Sequence, residues 1–233
     1  CPGSKQPELK HAAVKILKAE LDWSLLAMAW LPDGDALSVR EQLKALMAQF
    51  PFATCVPFGR ERAGVLFRAA AYEAPAPELL ARLEALLGLA GTDTIRYADP
   101  RKGQRRAMRL VRQGPGKEAD VHLEAFLLAG DTASQAWIRA LLQDELPAQA
   151  YGRLLLSPGA RAPVAVQARG KQVCTCFNIT EDAIQERLAT CHGGPDARLA
   201  TLQADLKCGT NCGSCVPELK RLVRATMPAA QPA

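Results

Sequence analysis

The distribution of cysteines constrains this 233-residue chain more than any other feature of its sequence. Six of the eight cysteines lie between Cys174 and Cys215, within VCTCFNIT, ATCHGG and KCGTNCGSC, and the other two are Cys1 and Cys55. The chain opens with CPGSKQPELK, which has neither the basic nor the apolar segment of a signal peptide. Clustered cysteines without secretory features favour a metal site in a reducing compartment over a disulfide framework.

Two local pairs stand out, Cys174-x-Cys176 and Cys212-x-x-Cys215. Four thiolates in two pairs can hold either tetrahedral zinc or an iron–sulfur cluster. Structural zinc sites mostly separate paired ligands by two to four residues, so the single residue within the first pair favours iron and sulfide. We expect Gly213 to let the second pair wrap closely around the metal. A structural zinc module remains the alternative.

The two cysteine segments resemble a known family. CTCFNIT, followed by CGTNCGSCVPELKRL, is similar to the small helical 2Fe–2S domain named after bacterioferritin-associated ferredoxin. The resemblance covers residues 173–226, and that domain also occurs in nitrogen-fixation scaffold proteins and in assimilatory nitrite and nitrate reductases. The resemblance implies that the cluster ligands are Cys174, Cys176, Cys212 and Cys215. We also expect a helix that starts near Pro217 to direct its N-terminal dipole at the cluster.

Three neighbouring residues with suitable chemistry are left out of the ligand set. Cys191 lies in a predicted connection between helices and is interpreted as a free thiol. Cys208 occupies a position where relatives have residues that do not bind the cluster. His192 could suggest a Rieske centre, but such a centre needs two histidines.

A second resemblance concerns the first twenty residues. SKQPELKHAAVKI is similar to the closing segment of the molybdopterin-dinucleotide-binding domain of molybdenum oxidoreductases. The resemblance implies that Lys10 contacts the pterin cofactor. Together with the segments that follow, the order resembles the C-terminal part of bacterial assimilatory nitrate reductase along nearly the whole chain. We therefore expect a piece of a longer protein.

That family resemblance implies a function. The chain would relay electrons through a 2Fe–2S cluster to a molybdenum centre that reduces nitrate to nitrite in the cytoplasm. The full-length protein would also carry a molybdenum–bis(molybdopterin guanine dinucleotide) cofactor and a 4Fe–4S cluster, and its electron donor would be ferredoxin, flavodoxin or an NADH-linked subunit. No residue of this chain is predicted to be catalytic. The alternative is a non-catalytic iron–sulfur scaffold or partner-binding module, for which Cys191 and Cys208 could supply exchange thiols.

The predicted fold class is α+β with several domains. Apolar runs and helical spacing between residues 21 and 103 follow the order β-α-β-β-α-β, which is the ferredoxin-like arrangement. A hairpin and a helix capped by Asp131 or Thr132 follow it. The predicted units are the end of a molybdopterin-dinucleotide-binding domain (1–20), a ferredoxin-like domain (21–103), a hairpin–helix module (104–157), a linker (158–170) and the 2Fe–2S domain (171–228).

The net charge of +5 is concentrated in one stretch, because residues 96–112 hold seven basic residues and one acidic residue. The favoured interpretation is a solvated surface, or one covered by the rest of the protein; docking of an acidic partner is the alternative. Tyr97 is the only aromatic residue in the stretch, which argues against nucleic-acid binding. No apolar run reaches the roughly 18–20 residues that a membrane span requires.

Overall fold

The computed structural model describes residues 21–226, except for residues 33, 60, 114–119, 162 and 164–169. The predicted pterin-domain segment 1–20, including Lys10, lies outside the described residues, as does most of the predicted linker. Within the described residues, no helix combines the length and the apolarity needed to cross a bilayer.

The described residues form a mixed α+β structure, which confirms the predicted class. Its larger part contains six strands, β1 (Trp23–Trp30), β2 (Phe52–Phe58), β3 (Gly64–Ala71), β4 (Thr94–Asp99), β5 (Gln104–Gln113) and β6 (Asp120–Ala129). Four helices accompany them: α1 (Ala36–Met47), α2 (Pro77–Leu86), α3 (Gln135–Gln143) and α4 (Gly152–Leu156). The cysteine-rich part contains β7 (Gln172–Cys174), β8 (Ile179–Thr180), α5 (Glu181–Ala189), α6 (Pro195–Leu206) and α7 (Val216–Ala225).

The six strands form one antiparallel sheet in the order β2-β3-β1-β6-β5-β4. The β5–β6 hairpin lies between β1 and β4, with Ala27 of β1 opposite Leu127 of β6. The structure therefore differs from the separate ferredoxin-like unit and hairpin module expected from the sequence. The physical reason is that β1 and most of β6 are buried on both faces. Strands of this kind bury all their apolar side chains only in the middle of a sheet that is covered on both faces.

Each face of the sheet has its own core, because successive side chains of a strand point to opposite faces. Leu25 and Phe67 pack with Leu43 of α1 and Leu83 of α2 on one face. On the other face the strands pack against α3 and α4 through a second set of side chains, which includes Met28, Leu66, Phe126, Trp137, Leu141 and Leu155. The sheet is therefore the middle of three layers.

Three arginines of the basic stretch 96–112 form hydrogen bonds or are buried inside this fold. The Arg96 guanidinium donates to the backbone carbonyls of residues 89, 91 and 94. Arg105 forms two hydrogen bonds of 2.6 and 2.7 Å with the buried carboxylate of Glu84. Arg106 is 1% exposed. These three cations therefore stabilise the sheet unit itself, which neither interpretation of the stretch anticipated.

Arg106 extends from β5 into the core formed with α3 and α4. Its guanidinium donates to Asp131 at 3.1 Å, to the Ser134 hydroxyl at 3.0 Å and to the Leu155 carbonyl at 3.2 Å. Asp131 also accepts hydrogen bonds from the backbone N–H groups of Ala133 and Gly159. This one carboxylate thus joins the sheet, the start of α3 and the segment after α4.

Candidate metal centre

The cysteine-rich part is built around a small core of its own. Three helices contribute buried leucine and isoleucine side chains, and four cysteines complete the core. Thr180 starts the first helix, α5, because its side-chain oxygen accepts a hydrogen bond from the Ala183 N–H at 3.3 Å. The sequence resemblance implied a small helical unit for this segment.

The first cysteine pair lies at a tight β-turn. Cys174 ends β7, and Cys176 lies in the four-residue connection to β8. Asn178 turns the chain back at the end of this connection with a φ of 54°, a left-handed conformation that asparagine tolerates better than most residues. Both cysteines are buried, with 1% exposure each.

The second pair lies at the start of α7. Cys215 is the residue that precedes the first turn of this helix, and Cys212 lies three residues earlier on an exposed loop. Gly213 between them has a φ of 72°, and a side chain there would meet no other atom within 4 Å. Glycine is therefore needed at this position for its backbone conformation rather than for space.

The fold brings the four predicted ligands together. The sulfurs of Cys176 and Cys212 are 3.2 Å apart, across 36 residues of sequence. Cys174 hydrogen-bonds with both Cys176 and Cys215. The four thiols therefore form one interacting group, within which the sulfurs of Cys176 and Cys212 are in direct contact.

Backbone N–H groups surround these sulfurs. Cys174 accepts from the N–H groups of Phe177 and Gly209, and Cys176 accepts from the N–H of Cys212. Ser214 contributes both its N–H and its hydroxyl to Cys212, with the oxygen 3.1 Å from the sulfur. Such donors stabilise thiolates over thiols. The contribution of Ser214 was missed in the sequence analysis, although its position within the second pair could have indicated it.

The electrostatics of the four thiols call for a cation. The hydrogen bond from Cys176 lowers the pKa of Cys174 to about 5. The same contact, together with burial, raises the pKa of Cys176, and burial with the neighbouring Cys174 charge raises the pKa of Cys215 to about 12. Adjacent thiols cannot all ionise at neutral pH without a positive charge among them. Metal ions supply that charge and displace the shared protons.

The arrangement fits an iron–sulfur cluster by its donor set. Four cysteines meet there, and soft thiolates select iron–sulfur clusters or zinc. Cys174, Cys176, Cys212 and Cys215 would hold such a cluster, and the sulfurs of Cys176 and Cys212 now lie 3.2 Å apart. Among the described residues, no three donor side chains are already arranged around one metal-sized space, so binding of a cluster would require the cysteine sulfurs to separate.

The N-terminus of α7 adds an electrostatic field that favours negative charge on the cysteine sulfurs. The helix runs from Val216 to Ala225, and Cys215 directly precedes it. The N-terminal end of a helix carries a partial positive charge that stabilises nearby anions. The helix that we predicted from Pro217 therefore begins where its dipole can act on the thiolates.

The cysteines left out of the ligand set occupy different places. Cys191 lies in the connection between α5 and α6, is 8% exposed, and its backbone carbonyl accepts a hydrogen bond from Arg198. His192 beside it is exposed. Cys208 is fully buried near Cys215, and its sulfur lies 3.6 Å from the Leu202 carbonyl. We therefore keep the two cysteine pairs, without Cys191 or Cys208, as the proposed ligands.

The sheet unit also contacts the cysteine loop. The N–H of Gly59, after β2, donates to the Cys176 carbonyl at 2.6 Å, and Val56 packs against the small core. On the same side, Asn178 donates to Asp144 at 3.2 Å. More than thirty residues separate each pair, and the sequence offered no periodicity or motif from which these contacts could be predicted.

We expect Gly59→Ala to make the metal centre labile. Gly59 has a φ of 98°, and an added Cβ would lie 2.0 Å from the Arg62 carbonyl oxygen and 2.5 Å from a Trp30 ring atom. The loop must shift, and its hydrogen bond to the Cys176 carbonyl shifts with it. The rate at which a chelator bleaches the visible absorbance should increase relative to wild type.

Gly34→Ala is the matched control for this variant. Gly34 has a φ of 92° but no atom within 4 Å of an added Cβ, so it carries only the left-handed backbone penalty of about 1–2 kcal/mol. The two variants should therefore share a loss of thermal stability, and only Gly59→Ala should bleach faster. Equal bleaching rates would show that the Gly59 contact does not support the centre.

Comparisons with known proteins agree with this geometry. Residues 172–225 match the family model described as the BFD-like [2Fe-2S] binding domain. A stretch of 91 residues, 39% of this chain, is 42% identical to a nitrate reductase from Klebsiella oxytoca. That stretch spans a tenth of the length of this curated relative. No solved structure matches the chain. Both parts of the predicted resemblance, to a nitrate reductase and to a BFD-like 2Fe–2S domain, are thus confirmed.

Proposed function

We propose that this chain is the electron-relay segment of an assimilatory nitrate reductase. The observation that carries the proposal is the gathering of four thiols, from two segments 35 residues apart, into one group of contacting sulfurs. The similarity to the BFD-like domain and to a nitrate reductase supports the choice of cluster and of parent enzyme.

The four cysteines differ in their exposure to solvent, which matters for such a relay. Cys174, Cys176 and Cys215 are buried and hold one side of the site away from water, whereas Cys212 is exposed. When bound, a 2Fe–2S cluster supplies one-electron redox chemistry. The exposed Cys212 loop is the side at which a donor protein can approach, and N–H groups directed at the sulfurs favour the more negative charge of a reduced centre.

The remaining parts of the proposal concern the longer protein. Its molybdenum–bis(molybdopterin guanine dinucleotide) centre would reduce nitrate to nitrite in the cytoplasm, with a 4Fe–4S cluster as a further carrier. Lys10 would contact the pterin. The donor would be ferredoxin, flavodoxin or an NADH-linked reductase subunit. The similarity to a nitrate reductase supports these assignments.

The structure favours a relay over an iron–sulfur scaffold. A scaffold hands its cluster on through accessible exchange thiols. The two candidates for that role, Cys191 and Cys208, are 8% and 0% exposed. Only Cys212 among the six clustered cysteines is exposed, and it is itself one of the four proposed ligands.

The relay is tested in the full-length reductase with Cys212→Ser. Nitrate reduction driven by the protein donor, chosen as whichever of the three classes supports the fastest wild-type turnover, should fall to near background. Turnover with reduced methyl viologen, a small reductant that can reach the molybdenum centre directly, should persist. Equal loss with both reductants, or none with either, would contradict a relay role; Cys191→Ala is the control and should resemble wild type.

A further inference from the structure

A cavity of about 530 Å³ lies on the α3 side of the sheet. Its walls come from β1, from β3, from Phe52 of β2 and from α3. Leucine, alanine and phenylalanine side chains form the apolar part of the lining, and two arginines, Arg68 and Arg139, stand among them. Ligand-binding cavities are typically of this size and combine apolar walls with a few convergent polar groups.

Arg68 enters the cavity from the sheet. It lies on β3, opposite Leu26 of β1 and Thr54 of β2. Burial lowers the pKa of its guanidinium, and no acidic side chain among the described residues offsets that effect. Its Nε atom is buried and has no hydrogen-bond partner in the described part of the chain.

Arg139 enters the cavity from the facing helix. One of its terminal nitrogens donates to the side-chain oxygen of Gln172 at 2.7 Å, which is a neutral acceptor. Its Nε atom is also buried without a hydrogen-bond partner among the described residues. Burial, followed by repulsion from Arg68, lowers the pKa of Arg139 to about 10. Two cations thus share one cavity.

Three other arginines on or beside the sheet are paired with carboxylates. Arg106 meets Asp131, Arg105 meets Glu84, and Arg62 meets Glu124. A buried charge is costly unless an opposite charge compensates it. In the described residues, no carboxylate plays that part for Arg68 or Arg139. Guanidinium groups bind carboxylate and phosphate oxygens through paired hydrogen bonds.

We propose that this cavity binds a small molecule that carries a carboxylate or phosphate group, held between the guanidinium groups of Arg68 and Arg139. The volume exceeds what an inorganic ion needs, and the apolar walls accommodate the remainder of such a molecule. Ser24 and Thr132, whose hydroxyl oxygens are 3.1 Å apart at the cavity wall, offer further hydrogen bonds.

The position of the cavity connects it with the metal centre. Gln172, which accepts the hydrogen bond from Arg139, lies two residues before Cys174, and its side-chain nitrogen donates to Asn178 of the same turn at 2.6 Å. Gln172 thus links Arg139 to the turn that carries Cys176.

The test uses thermal unfolding of the full chain, with inorganic phosphate as the probe and chloride at matched ionic strength as the reference. Phosphate at tens of millimolar should raise the midpoint of unfolding by about 2–4 °C, because a ligand that binds only the folded state stabilises it. Arg68→Gln and Arg139→Gln should each abolish the increase. Arg101→Gln removes the same charge from an exposed position and should retain it.

A second measurement guards against variants that simply fail to fold. In buffer with chloride alone, Arg68→Gln should be at least as stable as wild type, since the substitution removes one of two half-buried charges that have no carboxylate partner among the described residues. A phosphate response that is absent in wild type, or unchanged in Arg68→Gln and Arg139→Gln, would overturn the proposal. A marked loss of stability of Arg68→Gln in chloride would also overturn it, because the charge would then be compensated already.

Discussion

Cys174→Ser should yield a colourless protein with little iron and no sulfide. The wild-type chain, purified anaerobically, is expected to contain about two irons and two sulfides, the composition of one 2Fe–2S cluster. Cys174 is buried and interacts with both Cys176 and Cys215, which shift its pKa. A serine hydroxyl ionises far less readily than this thiol, whose pKa falls to about 5, so the cluster loses a ligand.

Cys191→Ala is the matched control, since it removes a buried cysteine of the same unit. Its iron, sulfide and visible spectrum should equal those of wild type. A colourless Cys191→Ala protein would show that the ligand assignment is wrong. One zinc and no sulfide in the wild-type chain would instead favour the structural zinc module.

Arg106→Ala should destabilise the sheet unit by about 3–5 kcal/mol, the usual cost of removing one partner of a buried ion pair. The substitution leaves the Asp131 carboxylate, 17% exposed, without its cation. It also removes the donor to the Leu155 carbonyl, which holds α4 against the sheet. All three tryptophans lie in β1 and α3, so tryptophan fluorescence during urea unfolding reports on this unit.

Arg101→Ala is the comparison for this prediction. Arg101 is an exposed cation of the same basic stretch, at the turn between β4 and β5. Its removal should change the free energy of unfolding by no more than about 0.5 kcal/mol, as is usual at exposed positions. Similar effects of the two substitutions would mean that the buried ion pair contributes nothing beyond an ordinary surface charge.

Local patterns predicted most elements of the fold well. The order β-α-β-β-α-β expected between residues 21 and 103 is present, and one cysteine of each pair contacts the other pair. Capping was predicted less well: Ser134 precedes α3, while Asp131 accepts the N–H of Ala133 and binds Arg106. A carboxylate near a helix start looks the same in sequence whether it serves the helix or a distant cation.

Contacts between remote segments could not be predicted in this way. The insertion of the β5–β6 hairpin beside β1 follows from which strands are buried on both faces, and apolar runs alone do not reveal their neighbours. The Gly59 contact with Cys176 depends on packing between the sheet unit and the cysteine-rich part, and the juxtaposition of Arg68 with Arg139 depends on packing of a helix against the sheet. Isolated arginines in a sequence are normally interpreted as surface residues.

The central position of β6 also has a consequence for the order in which the chain folds. Leu25 of β1 pairs with Ala129 of β6, so the middle of the sheet joins residues about a hundred positions apart. The β2–β3 and β5–β6 ladders join much nearer segments, and short loops close at a smaller entropic cost than long ones. During synthesis, the edge of β1 that pairs with β6 stays without its partner until β6 has left the ribosome. Folding of the sheet is therefore expected to be slow relative to that of the three-helix unit, whose contacts are mostly local.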